Sequence, residues 1–176
     1  DSAIGVVINL ATGVSAGGDA QGDTFIGIEK FVGSSGADML VGGATAANFD
    51  GYDGNDTLIG FGSKDTLIGA GDTDVATMLA AGSMKVSGIE TVIGSSGSDV
   101  VTLLETGALA VDGVETVIGS GGEDDVVTLL AAQCPAATIH LLEIFPRDEA
   151  MSPMRSVLSA SAVSRVMGSS SPEATN

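Results

Sequence analysis

Written in nines, Gly33 to Thr77 reads GSSGADMLV, GGATAANFD, GYDGNDTLI, GFGSKDTLI, GAGDTDVAT. Gly33, Gly42, Gly51, Gly60 and Gly69 fall in one column, Asp38, Ala47, Asp56, Asp65 and Asp74 in a second, and Leu40, Phe49, Leu58, Leu67 and Ala76 in a third. Turn-forming preference accounts for Asp and Gly in loops, but not for their strict register with an apolar column. A period of nine of this kind is the signature of a stacked repeat.

These residues resemble the RTX, or hemolysin-type, calcium-binding nonapeptide GGxGxDxUx. The resemblance implies an all-β fold, a parallel β-roll or β-helix solenoid, with Ca2+ between its loops. Calcium is a hard cation that takes about 6 to 8 oxygens from carboxylates and carbonyls. Glycine at the first and fourth positions permits tight turns with carbonyls pointing inward. The sixth-position Asp supplies charge, and the eighth residue anchors the strand.

In that family one turn of the roll takes two nonapeptides, so loops on one side are 18 residues apart. Carried over by position, Asp38, Asp56 and Asp74 share one side, with Ala47 and Asp65 on the other. The implied metal ligands are Asp38, Asp56, Asp74 and Asp65, with backbone carbonyls from Gly33, Gly36, Gly51 and Gly54. Asp53, Asp72, Asp99 and Asp124 are further candidates. Ser63 and Asp72 replace the fourth-position glycine, so affinity is expected to be best around loops 33–38 and 51–56.

A second period follows. GAGDTDVATMLAAGSMKVSGIETVI, GSSGSDVVTLLETGALAVDGVETVI and GSGGEDDVVTLL begin at Gly69, Gly94 and Gly119, with Asp74, Asp99 and Asp124 in one column and Glu90 and Glu115 in another. Three β-rich runs per unit predict one coil of a parallel β-helix every 25 residues. The expected organisation is a β-rich lead-in over 1–32, calcium-binding nonapeptides over 33–77, 25-residue coils over 69–132 and an atypical tail over 133–176. The tail is expected to be irregular or partly helical after Ser152-Pro153, as a cap, an export segment or an artefactual end.

The chain has 23 acidic residues against six Lys and Arg, for a net charge of -17, although 44% of it is apolar. The acids must therefore lie in loops and the hydrophobes in short strands. This balance argues against nucleic acid or an anionic membrane as partner and for bound cations. Cys134 is the one cysteine, which excludes a disulfide framework. No apolar run reaches the roughly 18 residues needed to span a bilayer. The chain opens on Asp1 without a signal-peptide pattern and is expected to be part of a longer protein.

Other motifs fail on spacing. Counted from Asp53, an EF-hand needs Gly at Leu58 and Glu at Lys64. Gly60-Phe61-Gly62 lacks the third glycine of a dinucleotide loop. His140 and Cys134 give no catalytic constellation. The expectation is a non-enzymatic calcium-binding module of a secreted or cell-surface protein, with any extracellular partner unidentified. The alternatives are a metal-independent β-helical adhesin or stalk, and the non-catalytic C-terminal part of a secreted hydrolase.

Overall fold

A computed structural model describes residues 2–121 and 125–130. The chain runs through β1 (Val7–Asn9), β2 (Val14–Ala16), β3 (Lys30–Val32), β4 (Met39–Val41), β5 (Asn48–Asp50), β6 (Thr57–Gly60) and β7 (Ser63–Ile68). It continues through β8 (Val75–Met78), β9 (Gly82–Ser87), β10 (Thr91–Ile93), β11 (Asp99–Leu103), β12 (Ala108–Asp112), β13 (Thr116–Ile118) and β14 (Val126–Leu129). From β3 onward it alternates between two sheets. The first is ordered β14-β12-β10-β8-β6-β4-β1-β2, the second β13-β11-β9-β7-β5-β3. All pairings are parallel except the β1–β2 hairpin, which covers one end of the first sheet with an antiparallel strand. The molecule is a two-sheet β-solenoid, as the nonapeptide resemblance implies.

The eighth-position residues are its core. Leu40 pairs with Leu58 and Leu58 with Ala76 in the first sheet, while Phe49 pairs with Leu67 in the second; all five are fully buried. The columns continue past the nonapeptides, through Val92 and Val111 in the first sheet and Val86 and Leu103 in the second. With so few aromatics, aliphatic ladders fill the narrow interior. At the N-terminal end Phe25 packs edge-on against Phe31 and Phe31 against Phe49, with ring centroids 5.1 Å and 6.0 Å apart.

The register corrects the 25-residue coil. Met39 pairs with Thr57 and Thr57 with Val75, steps of 18, and beyond the nonapeptides Val75 pairs with Thr91 and Thr91 with Ala110, steps of 16 and 19. A turn therefore keeps two strands throughout. Each 25-residue unit supplies three strands, or one and a half turns, so successive units begin on opposite sheets at β8, β11 and β14. Hydrogen-bond pairing explains this: each new rung docks on the last one and inherits its two-strand cross-section.

Residues 133–176, with the expected helix after Ser152, lie outside the described residues. So does Asp124. No helix among the described residues is long and apolar enough to cross a membrane.

Candidate metal site

The sixth-position residues lie just before the first-sheet strands and face inward, two residues ahead of the core column. Asp38, Asp56 and Asp74 are all buried. They form a ladder. The Val6 N–H donates to Asp38 Oδ1 at 2.7 Å, the Asp38 N–H to Asp56 Oδ1 at 2.8 Å, and the Asp56 N–H to Asp74 Oδ1 at 2.7 Å. The Asp74 N–H then donates to Glu90 Oε2 at 2.7 Å. Each acid thus satisfies a main-chain donor of the preceding rung that would otherwise be buried without a partner.

The second carboxylate oxygen separates the loops into two kinds. In loop 33–38 the Ser34 N–H donates to Asp38 Oδ2 at 2.6 Å and the Ser34 hydroxyl to Oδ1 at 2.8 Å, so both oxygens are engaged. On the opposite edge Asp65 accepts the N–H groups of Ala47 and Phe61. Asp99 accepts the N–H and hydroxyl of Ser95, and Asp125 those of Ser120. By this geometry Asp125, in DVVTLL, is the counterpart of Asp99.

Loops 51–56 and 69–74 differ. Asp56 Oδ2 and Asp74 Oδ2 are buried and have no hydrogen-bond partner. The second residues of these loops, Tyr52 and Ala70, have φ of 79° and 76°, and Lys64 and Asp72 are also left-handed. Non-glycine residues pay about 1–2 kcal/mol for this conformation, and such strain collects at functional sites.

The two open loops stack directly. The Gly54 N–H donates to Asp72 Oδ2 at 3.2 Å and the Thr73 N–H to Asn55 Oδ1 at 3.0 Å. Asp53 is exposed. Gly54 has φ 107°, and a Cβ there would lie 2.8 Å from the Gly36 carbonyl carbon, so only glycine permits this rung spacing. At Gly51 and Gly69 a Cβ would overlap Asp56 Oδ2 and Asp74 Oδ2 respectively. The first-position glycines therefore clear the space that the open oxygens occupy.

The charges are strained. Burial pushes the Asp56 carboxyl up to about 6, and Asp38, Asp74 and Asp72 add to the rise against the lowering hydrogen bond from the Asp38 backbone. Burial likewise raises Asp74, with Glu90 and Asp72 contributing. Among the described residues no three Asp, Glu, His or Cys side chains group as a metal site. A cation here must take most of its ligands from carbonyls and water, which a hard cation accepts.

Residues 23–46 and 41–76 match the family model of the RTX calcium-binding nonapeptide repeat, described as four copies. Residues 23–76 are thus similar to RTX repeats. RTX nonapeptide repeats bind Ca2+. The RTX match covers less than half of the chain. No curated protein and no solved structure matches it.

Sequence reasoning placed Asp38, Asp56 and Asp74 on one edge and Asp65 on the other, and the structure brings them together in that way. It did not single out Glu90 or Glu115, whose carboxylates accept the N–H groups of Asp74 and Asp99. Their signal was present: both stand in the recurring Ile/Val-Glu-Thr-Val-Ile phrase.

Proposed function

We propose that the RTX stretch holds Ca2+ on the loop edge of the first sheet, chiefly between loops 51–56 and 69–74, and that the ion completes the folding of a secreted, non-enzymatic module. The observation that carries this is the pair of buried, unpartnered oxygens, Asp56 Oδ2 and Asp74 Oδ2. A buried carboxylate oxygen without a donor costs several kcal/mol unless it is neutralised or liganded. Asp56 and Asp74 would be the anionic ligands, with carbonyls of Gly51 and Gly54 and solvent completing the shell. Bound Ca2+ supplies positive charge between the stacked acids.

Loop 33–38, with Gly33 and Gly36, is a weaker partner because Ser34 already satisfies Asp38. Asp65 is weaker for the same reason. A chain of charge -17 repels itself when compact. Calcium at roughly 10⁻⁴ to 10⁻³ M, the range of extracellular modules, would relieve this outside the cell.

A calcium-independent scaffold is the second reading, favoured by the serine-closed loops at Asp38, Asp99 and Asp125. Far-UV circular dichroism and thermal melting in calcium and then in chelator distinguish the two. Calcium folding predicts loss of β signal or a lower melting temperature on chelation; an unchanged signal and melt support the scaffold.

A further inference from the structure

The loop edge continues past the RTX match in a compressed form. In the nonapeptides the first glycine donates its N–H to the residue preceding the next first glycine, as Gly33 does to Asp50 O and Gly51 to Ile68 O, both at 2.7 Å. Gly69 donates in the same way to Ser87 O at 2.9 Å. Gly88 therefore occupies the first-glycine place of the next rung. Glu90, which accepts the Asp74 N–H, occupies the place of the sixth-position aspartate. Three residues replace six, and the extra methylene of Glu recovers the reach.

Two oxygens converge beside Gly69. Asp74 Oδ2, fully buried and without a donor, and the carbonyl oxygen of Gly88 both face the point where a Gly69 Cβ would stand. Two acceptors that meet without a proton between them repel unless a cation joins them. Gly88 and Glu90, with Glu105, also line a cavity of about 160 Å³.

We propose that a further Ca2+ site lies between the last nonapeptide loop, 69–74, and the turn 88–90 beyond the repeats, with the Asp74 carboxylate, the Gly88 carbonyl and the Glu90 carboxylate as its protein ligands. It rests on the assignment of Ca2+ to loops 51–56 and 69–74, and it extends the row of ions by one rung. The sister turn on the opposite edge is an internal control. Gly94 donates to Asp112 O and Asp99 to Glu115, but Asp99 Oδ2 already accepts the Ser95 N–H, so no open oxygen remains there.

The test is native mass spectrometry of the full chain in calcium, comparing wild type, Glu90→Gln and Glu115→Gln. Gln at 90 keeps an acceptor for the Asp74 N–H and removes the charge. Glu90→Gln is expected to carry one ion fewer, and Glu115→Gln the wild-type number. Equal counts for wild type and Glu90→Gln overturn the further site alone; no calcium on the wild type overturns the loop assignment as well. Hydrogen exchange on the wild type needs no variant. Calcium should slow exchange over residues 86–92 as well as 51–75, and protection confined to 51–75 contradicts the further site while leaving the loop assignment standing.

Discussion

The N–H of Asp56 donates to Asp74 Oδ1 at 2.7 Å, while Oδ2 of the same Asp74 carboxylate is buried without a partner. One oxygen holds the rungs together and the other is left open. The structural and ion-binding roles of the column can therefore be separated by substitution.

Asp56→Asn keeps an oxygen acceptor for the Asp38 N–H and removes the charge, whereas Asp56→Ala removes both. Asp56→Ala leaves a buried donor unsatisfied and should cost about 1–3 kcal/mol without calcium. Asp56→Asn should leave calcium-free stability equal or higher. Urea melts in chelator check this, and equal losses for the two variants would contradict the ladder.

Stability should depend on pH in a direction opposite to that of an ion-paired carboxylate. Asp56 rises from 3.8 to about 6 on folding, so across that window the folded chain retains a proton that the unfolded chain has released. Calcium-free stability therefore falls as pH rises through the window and does not recover above it. Calcium affinity rises over the same window, because the ion competes with the proton. The calcium-free melting temperature should be higher at pH 5 than at pH 7.5, with a smaller difference in Asp56→Asn. A wild-type melt that rises with pH would count against a buried, unliganded Asp56.

The serine-closed loops should not need calcium. In chelator, amides of loops 33–38 and 94–99 should exchange more slowly than those of loops 51–56 and 69–74, and adding calcium should narrow the gap. Ser34→Ala removes one hydroxyl hydrogen bond to a carboxylate and should cost about 1.5–3 kcal/mol. Uniform exchange across all four loops in chelator would remove the distinction between closed and open loops.

The core column makes a prediction independent of metal. Leu58 is fully buried between Leu40 and Ala76. Leu58→Ala should cost about 2–5 kcal/mol in calcium and in chelator alike. A loss seen only in calcium would mean that the apo chain does not form this column.

Much of this was legible because a nine-residue period fixes which residues point inward, and the RTX resemblance implies two nonapeptides per turn and so which loops share an edge. Leu40, Leu58 and Leu67 could be named as core from register alone, and Asp38, Asp56 and Asp74 as neighbours from the 18-residue turn that the resemblance implies. The 25-residue period misled because it counts strands correctly but says nothing of how many strands close a turn; pairing with the rung below decides that. The difference between Asp38 and Asp56 was also beyond the sequence. Ser34 donates to its aspartate, whereas in the Tyr52 loop, with its left-handed backbone, one oxygen of Asp56 is left without a donor. The role of Glu90 is not legible in its repeat column, because its loop is three residues shorter than the nonapeptide pattern and only the hydrogen bond from the Asp74 N–H shows the equivalence.

The central claim is that the open oxygens of Asp56 and Asp74 bind calcium. Isothermal titration of Ca2+ into the wild-type chain and into Asp56→Asn tests it most directly. Saturable binding in the wild type, weakened at least tenfold or reduced by one site in Asp56→Asn, is the predicted result. No binding by the wild type, or identical isotherms for the two proteins, would contradict it.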